Sequence, residues 1–399
     1  MKKDIGYSKS SDLRILVAGY YGEGNLGDEL VLLGLLRGIK ERFKGTPVTL
    51  GILTGNFDET RRFIDGDAAG GKEIGFNYIF VPRKSIVKII SAIASSDIVI
   101  VGGGGLFQDF TGSLSLYYYL LIIFISKIFG KKVSVCSVGI DRMKGINSYL
   151  ARAVINLADR ISVRDAESLE FLVPRHEERS ASAVAARRSR RRPPEVKQFA
   201  DLAFNISFEG LKVSSSNHEF TSERRKPKFI FVPRKFGGHE DYSQFWSRLA
   251  DMCARRYSGS SVVLAAFHKK EDVGYITRIA SLCQMKPDIL LWENPSDVIR
   301  EFMSSEVVIS ARLHGLILAA LLGVPVVGVS SDRKSDLFLR EIEQKNIYRS
   351  DDFKNSGDEM AFALISDTLR WSDDFRQKLS WHIERLKKNS RDAVDYAFS

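Results

Sequence analysis

Two side chains able to bind an anion and move a proton stand together at positions 312 and 314. In Val307-Val308-Ile309-Ser310-Ala311-Arg312-Leu313-His314-Gly315 an apolar, strand-like stretch ends at Ser310, and the apolar run 316–322 that follows reads as a helix. A cation and an imidazole at a helix N-terminus suit a substrate that carries phosphate and needs a proton transferred. The first helical turn offers unpaired N–H groups to an anion, and His changes charge near neutral pH. Arg312, with Ser310 at the strand end, is therefore assigned to phosphate and His314 to the proton. A lone His is more often structural; its place between strand and helix favours chemistry here.

Two glycine-rich segments could line the same site. Gly22-Glu23-Gly24-Asn25-Leu26-Gly27 fits GxGxxG between a strand and a helix. A dinucleotide site also needs an acidic residue at the end of the next strand, and Leu50-Gly51-Ile52-Leu53-Thr54-Gly55-Asn56 supplies none. Asp28 and Glu29 in the first helical turn oppose an anion, so Asn25 and Asp28 suit hydroxyl groups of a neutral ligand. A tight turn capped by Asp28 explains the same residues. Four consecutive glycines, 102–105, follow the strand-like run 97–101. Gly103 and Gly104 would let backbone approach a ligand closely, and Gln108 and Asp109 could bond sugar hydroxyls; a structural bend is the alternative.

Positioning these loops requires parallel strands whose carboxyl ends share one edge. Apolar runs at 13–18, 48–54, 98–101 and 133–138 alternate with helix-like segments such as 29–43, the rhythm of a doubly wound sheet. The rhythm restarts at 229–232, 261–267, 289–292, 307–310 and 324–329. The expected fold is α/β, two Rossmann-like domains facing across a cleft. The N-terminal domain, on the acceptor side, covers 1–175, a basic linker 176–198, the C-terminal domain, on the donor side, 199–370, and a helical tail 371–399.

Composition narrows the class. The 399 residues hold 59 Lys and Arg against 49 Asp and Glu, 44% hydrophobic residues, ten prolines and three cysteines, which excludes disorder, collagen and a disulfide scaffold. Cys136, Cys253 and Cys283 are far apart and have no metal-ligand spacing, so no disulfide framework and no metal are expected. The N-terminal apolar run is too short for a signal peptide, and a reducing cytoplasm is the expected compartment. Half of the surplus of ten positive charges lies between Arg175 and Lys197, where no aromatic residue interleaves with the arginines. A solvated linker that touches anionic headgroups fits better than a nucleic-acid arm, so no nucleic-acid partner is expected. The ten-residue apolar run 116–125 is too short to span a bilayer; it reads as a buried helix or as a patch resting on a membrane surface.

Taken in order, Gly19-Tyr20-Tyr21-Gly22, Gly24-Asn25, Gly27-Asp28-Glu29, the 102–105 glycines with Gln108-Asp109, and Ser115-Leu116 carry a resemblance. It continues through Ile161-Ser162-Val163-Arg164-Asp165 with Ser168, Ser310-Ala311-Arg312-Leu313-His314 and Asp332-Arg333-Lys334. The chain resembles the polysaccharide pyruvyl transferase family, in particular the bacterial branch that pyruvylates cell-wall polymers. The resemblance implies a fold like that of the GT-B glycosyltransferases, phosphoenolpyruvate as co-substrate with no other cofactor, and a sugar or lipid-linked oligosaccharide as acceptor. The family's functional Arg, His and Lys fall on Arg164, His314 and Lys334, with Asp332 placed to orient Lys334. The chain departs from the family at Gly139-Ile140-Asp141-Arg142, where Gly-Ile-Gly-Pro is common. Two other readings stay open: a nucleotide-sugar glycosyltransferase of the same fold and a non-catalytic carbohydrate-binding module. In such glycosyltransferases a glutamate that holds the ribose lies five residues before the glycine of Gly-x-Pro-Val-Val; that position here is Leu318.

Overall fold

The computed structural model describes residues 12–66, 75–109, 112–143, 145–173, 194–208, 226–235, 241–329, 333–344, 347–348, 357–370 and 372–399. Among these, the strands form two parallel sheets. The first holds β1 (Leu13–Tyr21), β2 (Val48–Thr54), β3 (Asn77–Pro82), β4 (Ile98–Gly102), β5 (Lys132–Val138), β6 (Arg160–Val163) and β7 (Val196–Gln198) in the order 3-2-1-4-5-6-7. The second holds β8 (Lys228–Val232), β9 (Ser261–Ala265), β10 (Asp288–Leu290), β11 (Val307–Ser310), β12 (Val326–Val329) and β13 (Ile347–Tyr348) in the order 10-9-8-11-12-13. Each sheet reverses direction of growth beside its first strand, between β1 and β4 and between β8 and β11. Open α/β sheets bind ligands at the carboxyl ends of such a switch point.

The expected two Rossmann-like lobes are present. Val196–Gln198, expected inside the linker, pairs with β6 and extends the first sheet. The arginine-rich part of that linker, 176–193, and Asp332 lie outside the described residues.

Helices cover both faces of the first sheet. On one side lie α1 (Leu26–Arg42) and α2 (Phe57–Asp65); on the other lie α3 (Ile86–Ser95), α4 (Ser113–Ile128), α5 (Ile146–Ile155) and α6 (Ala166–Leu172). Asn25 caps α1, its side chain accepting from Gly27 N–H at 3.2 Å, so the cap is Asn25 rather than Asp28. Gly22 (φ +71°) and Gly24 (φ +79°) make the left-handed turn before it, where a Cβ would be strained. The second lobe carries α7 (Ser243–Arg256), α8 (Asp272–Leu282), α9 (Pro295–Met303), α10 (Leu313–Leu321), α11 (Arg333–Glu341) and α12 (Gly357–Arg370). The closing helix, α13 (Ser372–Ala397), returns to the first lobe, where Ser134 Oγ donates to Ala397 O at 2.5 Å and Ser390 Oγ to Asp201 O at 2.9 Å.

The lobes are not joined by a linker alone. One apolar cluster runs continuously from α1 and the 3-10 turn Leu202–Asn205 into α10 and α11, with the Phe204 and Phe338 ring centroids 6.1 Å apart. Backbone also pairs across the gap: Leu26 N–H donates to Phe267 O at 2.8 Å and Lys269 N–H to Gly24 O at 2.9 Å. Buried apolar contact plus direct backbone pairing fixes the two switch points relative to each other.

Candidate active site

Between the switch points lies a cleft of about 660 Å³. The first lobe lends it Tyr20 and Asn25 after β1, Asp28 from α1, Gly105 and Gln108 after β4, Ser115 and Tyr119 from α4, Asp141 after β5 and Arg164 after β6. The second lobe lends Arg234 and Lys235 after β8, His268 and Glu271 after β9, Arg312 and His314 at β11, and Lys334 from α11. Of the residues singled out in the sequence, Asn25, Asp28, Gln108, Arg164, Arg312, His314 and Lys334 come together here.

Others lie behind the wall. Ser310 is fully buried, and its Oγ accepts from Arg312 N–H at 3.0 Å and donates to Arg312 O at 2.8 Å, so it shapes the turn that aims Arg312 instead of facing the cleft. Gly103 (φ +72°) and Gly104 (φ +70°) also stand behind it: a Cβ on Gly103 would lie 1.8 Å from Val31 Cγ1, and one on Gly104 2.5 Å from Asp28 Oδ1. They let β4 turn tightly under α1. Asp109 accepts from Asn147 Nδ2 at 2.9 Å and joins the starts of α4 and α5.

The electrostatic centre is a residue the sequence reading missed, Asp201, which begins the 3-10 turn and is 5% exposed. Its Oδ2 accepts from Arg164 Nη1 at 2.7 Å and lies 3.4 Å from His314 Nε2, while Oδ1 accepts from Ala203 N–H at 3.0 Å. Burial alone would push this carboxyl up. The charges of His314 and Arg164 outweigh burial and hold it well below the usual carboxylate range. For Arg164, burial opposes the charge, but Asp201 and Asp165 overcome it and raise the pKa. One carboxylate thus fastens a guanidinium from the first lobe and an imidazole from the second. Asp28 sits in the same field: burial raises its carboxyl, His314 and Arg164 oppose the rise, and Oδ2 accepts from Asn25 Nδ2 at 2.5 Å.

The other cations are held in the same manner. Arg312 Nη2 donates to Asp272 Oδ1, and Asp272 Oδ2 is itself fixed by Phe267 N–H at 3.0 Å and His268 N–H at 2.8 Å. Lys334 meets Asp141 Oδ1 of the opposite lobe at 2.7 Å. Among the described residues the carboxylate on Lys334 is Asp141, one of the positions where the chain departs from the Gly-Ile-Gly-Pro pattern; Asp332, expected in that role, lies outside them. Nε of Arg164 and of Arg312 are both buried without a hydrogen-bond partner among the described residues, and Arg164 Nε lies 4.0 Å from Asp165 Oδ2. No sequence pattern marks Asp201 or Asp272, because their partners lie 37 and 40 positions away and on other elements.

Comparison with known proteins places this geometry. The chain is similar in fold to the UDP-GlcNAc 2-epimerase of Neisseria meningitidis bound to UDP-GlcNAc, with 15% identity, a TM-score of 0.57, and 97% of this chain and 100% of that one covered. It is likewise similar to an Anabaena protein in complex with UDP and glucose, with 11% identity, a TM-score of 0.55 and 97% of each chain covered. At such identities the likeness shows the two-lobed GT-B arrangement alone. No curated protein sequence matches the chain. A family model for polysaccharide pyruvyl transferases matches residues 25–333, from the Asn25 cap in one wall of the cleft to the start of α11 in the other. The match takes in Arg164, Asp201, Arg312 and His314 together, and the chain belongs to the polysaccharide pyruvyl transferase family.

Proposed function

We propose that the cleft binds phosphoenolpyruvate and a sugar diol and joins them into a cyclic pyruvate ketal on a cell-wall or surface glycan precursor. The observation that carries this reading is the shared carboxylate: Arg164 and His314, from different lobes, both reach Asp201 Oδ2, at 2.7 and 3.4 Å, so one small ligand can touch both. Phosphoenolpyruvate brings a carboxylate and a phosphate. Burying them requires several cations, and Arg164, Arg312 and Lys334 converge on the cleft with Arg234 and Lys235 beside them.

In the proposed reaction C3 of the enol takes a proton and C2 accepts the first hydroxyl oxygen. The C2–O bond to phosphate then breaks, and the second hydroxyl closes the ketal. Of the two hydroxyl protons one balances the new methyl group and the other leaves with phosphate. His314 moves a proton at the phosphate or the attacking hydroxyl. Asp201 holds His314 in place and balances its charge, and Arg164 and Arg312 stabilise the departing phosphate. Asn25, Asp28 and Gln108 orient the acceptor. The enzyme then works in the cytoplasm, and its acceptor is a free or lipid-linked saccharide.

The test is mass spectrometry of candidate glycans after incubation with phosphoenolpyruvate. A gain of one pyruvyl ketal is expected, lost in His314→Ala and reduced at least about a hundredfold in Arg164→Lys, which keeps the charge but not the planar fork. Wild-type turnover by either variant overturns the assignment. So does a thermal shift with UDP- or GDP-sugars and none with phosphoenolpyruvate. Leu318, fully buried in α10, cannot offer a ribose the carboxylate that the nucleotide-sugar reading needs.

A further inference from the structure

The apolar run 116–125 divides by face. Leu116, Tyr119, Leu120, Ile122 and Ile123 are buried against the first sheet, while Leu114 (85% exposed), Tyr117, Leu121, Phe124 and Ile128 form a stripe on the opposite side of α4. Their spacing of three, four, three and four positions keeps them in line. Helix α5 packs beside α4 and continues the surface with Ile146 (78% exposed), Tyr149 (76% exposed) and Leu150. Isolated apolar residues on a surface are ordinary; a stripe along a 16-residue helix, about 24 Å, extended by its neighbour, marks a contact surface.

Charge and location identify what it contacts. Between Arg83 and Arg160 the sequence holds ten Lys and Arg against four Asp and no Glu, a surplus of six, with no charged residue at all from 110 to 126. Lys84 just ahead of α3, which packs against α4, Lys132 four positions past Ile128, and Arg142 four positions before Ile146 are exposed, Arg142 lying 3.7 Å from Glu167. An apolar face with exposed cations at its ends matches an interface of acyl chains and anionic headgroups. The same helix lends Ser115 and Tyr119 to the catalytic cleft, and Tyr117 Oη donates to Asn147 Oδ1 at 2.7 Å, which ties the start of α5 to that end of α4. The stripe therefore begins at the mouth of the cleft. Among the described residues no helix is long and apolar enough to cross a membrane.

We propose that the α4–α5 face seats the protein on an anionic bilayer surface with the cleft mouth at headgroup level, where a lipid-linked saccharide presents its sugar while its lipid stays in the membrane. The lipid-linked acceptor rests on the proposed function; vesicle binding requires no phosphoenolpyruvate, so the two readings fail separately.

The experiment is flotation of the full chain with phosphatidylcholine vesicles, with and without phosphatidylglycerol, at low and high salt. Leu121→Ser/Phe124→Ser and Leu114→Ser/Tyr149→Ser are floated alongside, with their melting temperatures measured to show that they fold. Expected is flotation that needs phosphatidylglycerol, weakens at high salt and falls at least about tenfold in both folded variants. Absence of wild-type flotation, flotation indifferent to phosphatidylglycerol, or equal flotation of the variants overturns the proposal. A wild-type dimer that the variants convert to monomers, without vesicle binding, assigns the face to a second copy instead.

Discussion

Gly27→Ala separates the placing of His314 from its chemistry. Gly27 lies in the first turn of α1, and a Cβ there would stand 2.3 Å from Nδ1, 2.6 Å from Cγ and 2.8 Å from Cβ of His314. Carbon atoms pack at about 3.5–4.0 Å, so the imidazole must retreat by roughly 1 Å. Rotating the side chain cannot relieve a clash that includes its own Cβ; the start of α10 has to move against backbone bonds that join the lobes at Leu26 and Lys269. Alanine favours the helix by about 1 kcal/mol over glycine, while overpacking costs about 1–3 kcal/mol, so stability should fall by no more than about 2 kcal/mol. A catalytic group misplaced by 1 Å loses on the order of a hundredfold in rate. Phosphate release from phosphoenolpyruvate in the presence of acceptor, measured beside a thermal melt, reads both quantities. A variant that melts near wild type and turns over within about threefold of it would show that His314 does not need this position, and the proton-transfer role would fall.

Two further outcomes follow from buried carboxylates. The Asp201 carboxyl, held low by His314 and Arg164, contributes stability that is complete above about pH 4 and fades as the pH drops toward its folded value; Asp201→Asn should cost about 3–5 kcal/mol at neutral pH, and an unchanged denaturant midpoint at pH 7 would contradict this. Glu29 is fully buried and, despite the Gly22 N–H bond to its Oε1 at 2.6 Å, burial pushes its carboxyl up to about 8. The folded state keeps this proton where the unfolded state releases it, so the group opposes folding by roughly 1.4 kcal/mol for each pH unit between about 4.5 and 8. Glu29→Gln should accordingly melt higher than wild type at pH 8 and alike at pH 5; an equal difference at both values sinks the explanation.

The strands that were legible in the sequence are those buried on both faces. Val48–Thr54 and Val307–Ser310 have the bounds their apolar runs suggested, since a parallel strand between two helical layers needs apolar residues throughout. Strand β3 was missed because it is an edge strand that leaves Asn77 and Ile79 exposed and buries Val81 alone. Strand β7 was missed because three residues, Val-Lys-Gln, carry no periodicity and stand in a basic stretch. At the site, cations at loop positions could be read one by one from strand ends and family motifs. Their counter-charges could not. Asp201 is 113 positions from His314, and Asp141 is 193 from Lys334; each pair exists only once the lobes close on each other.

The returning C-terminal helix has a consequence for how this chain is made. Asn389 Oδ1 accepts from Ala200 N–H, Ala393 O from Cys136 Sγ, and Ala397 O from Ser134 Oγ, so groups inside the first lobe wait for partners encoded by the last dozen residues. A ribosome that has finished the first two hundred residues has therefore not produced a complete unit. That half stays open at β5 until α13 has been made, and the first lobe is complete only once that helix can pack against it.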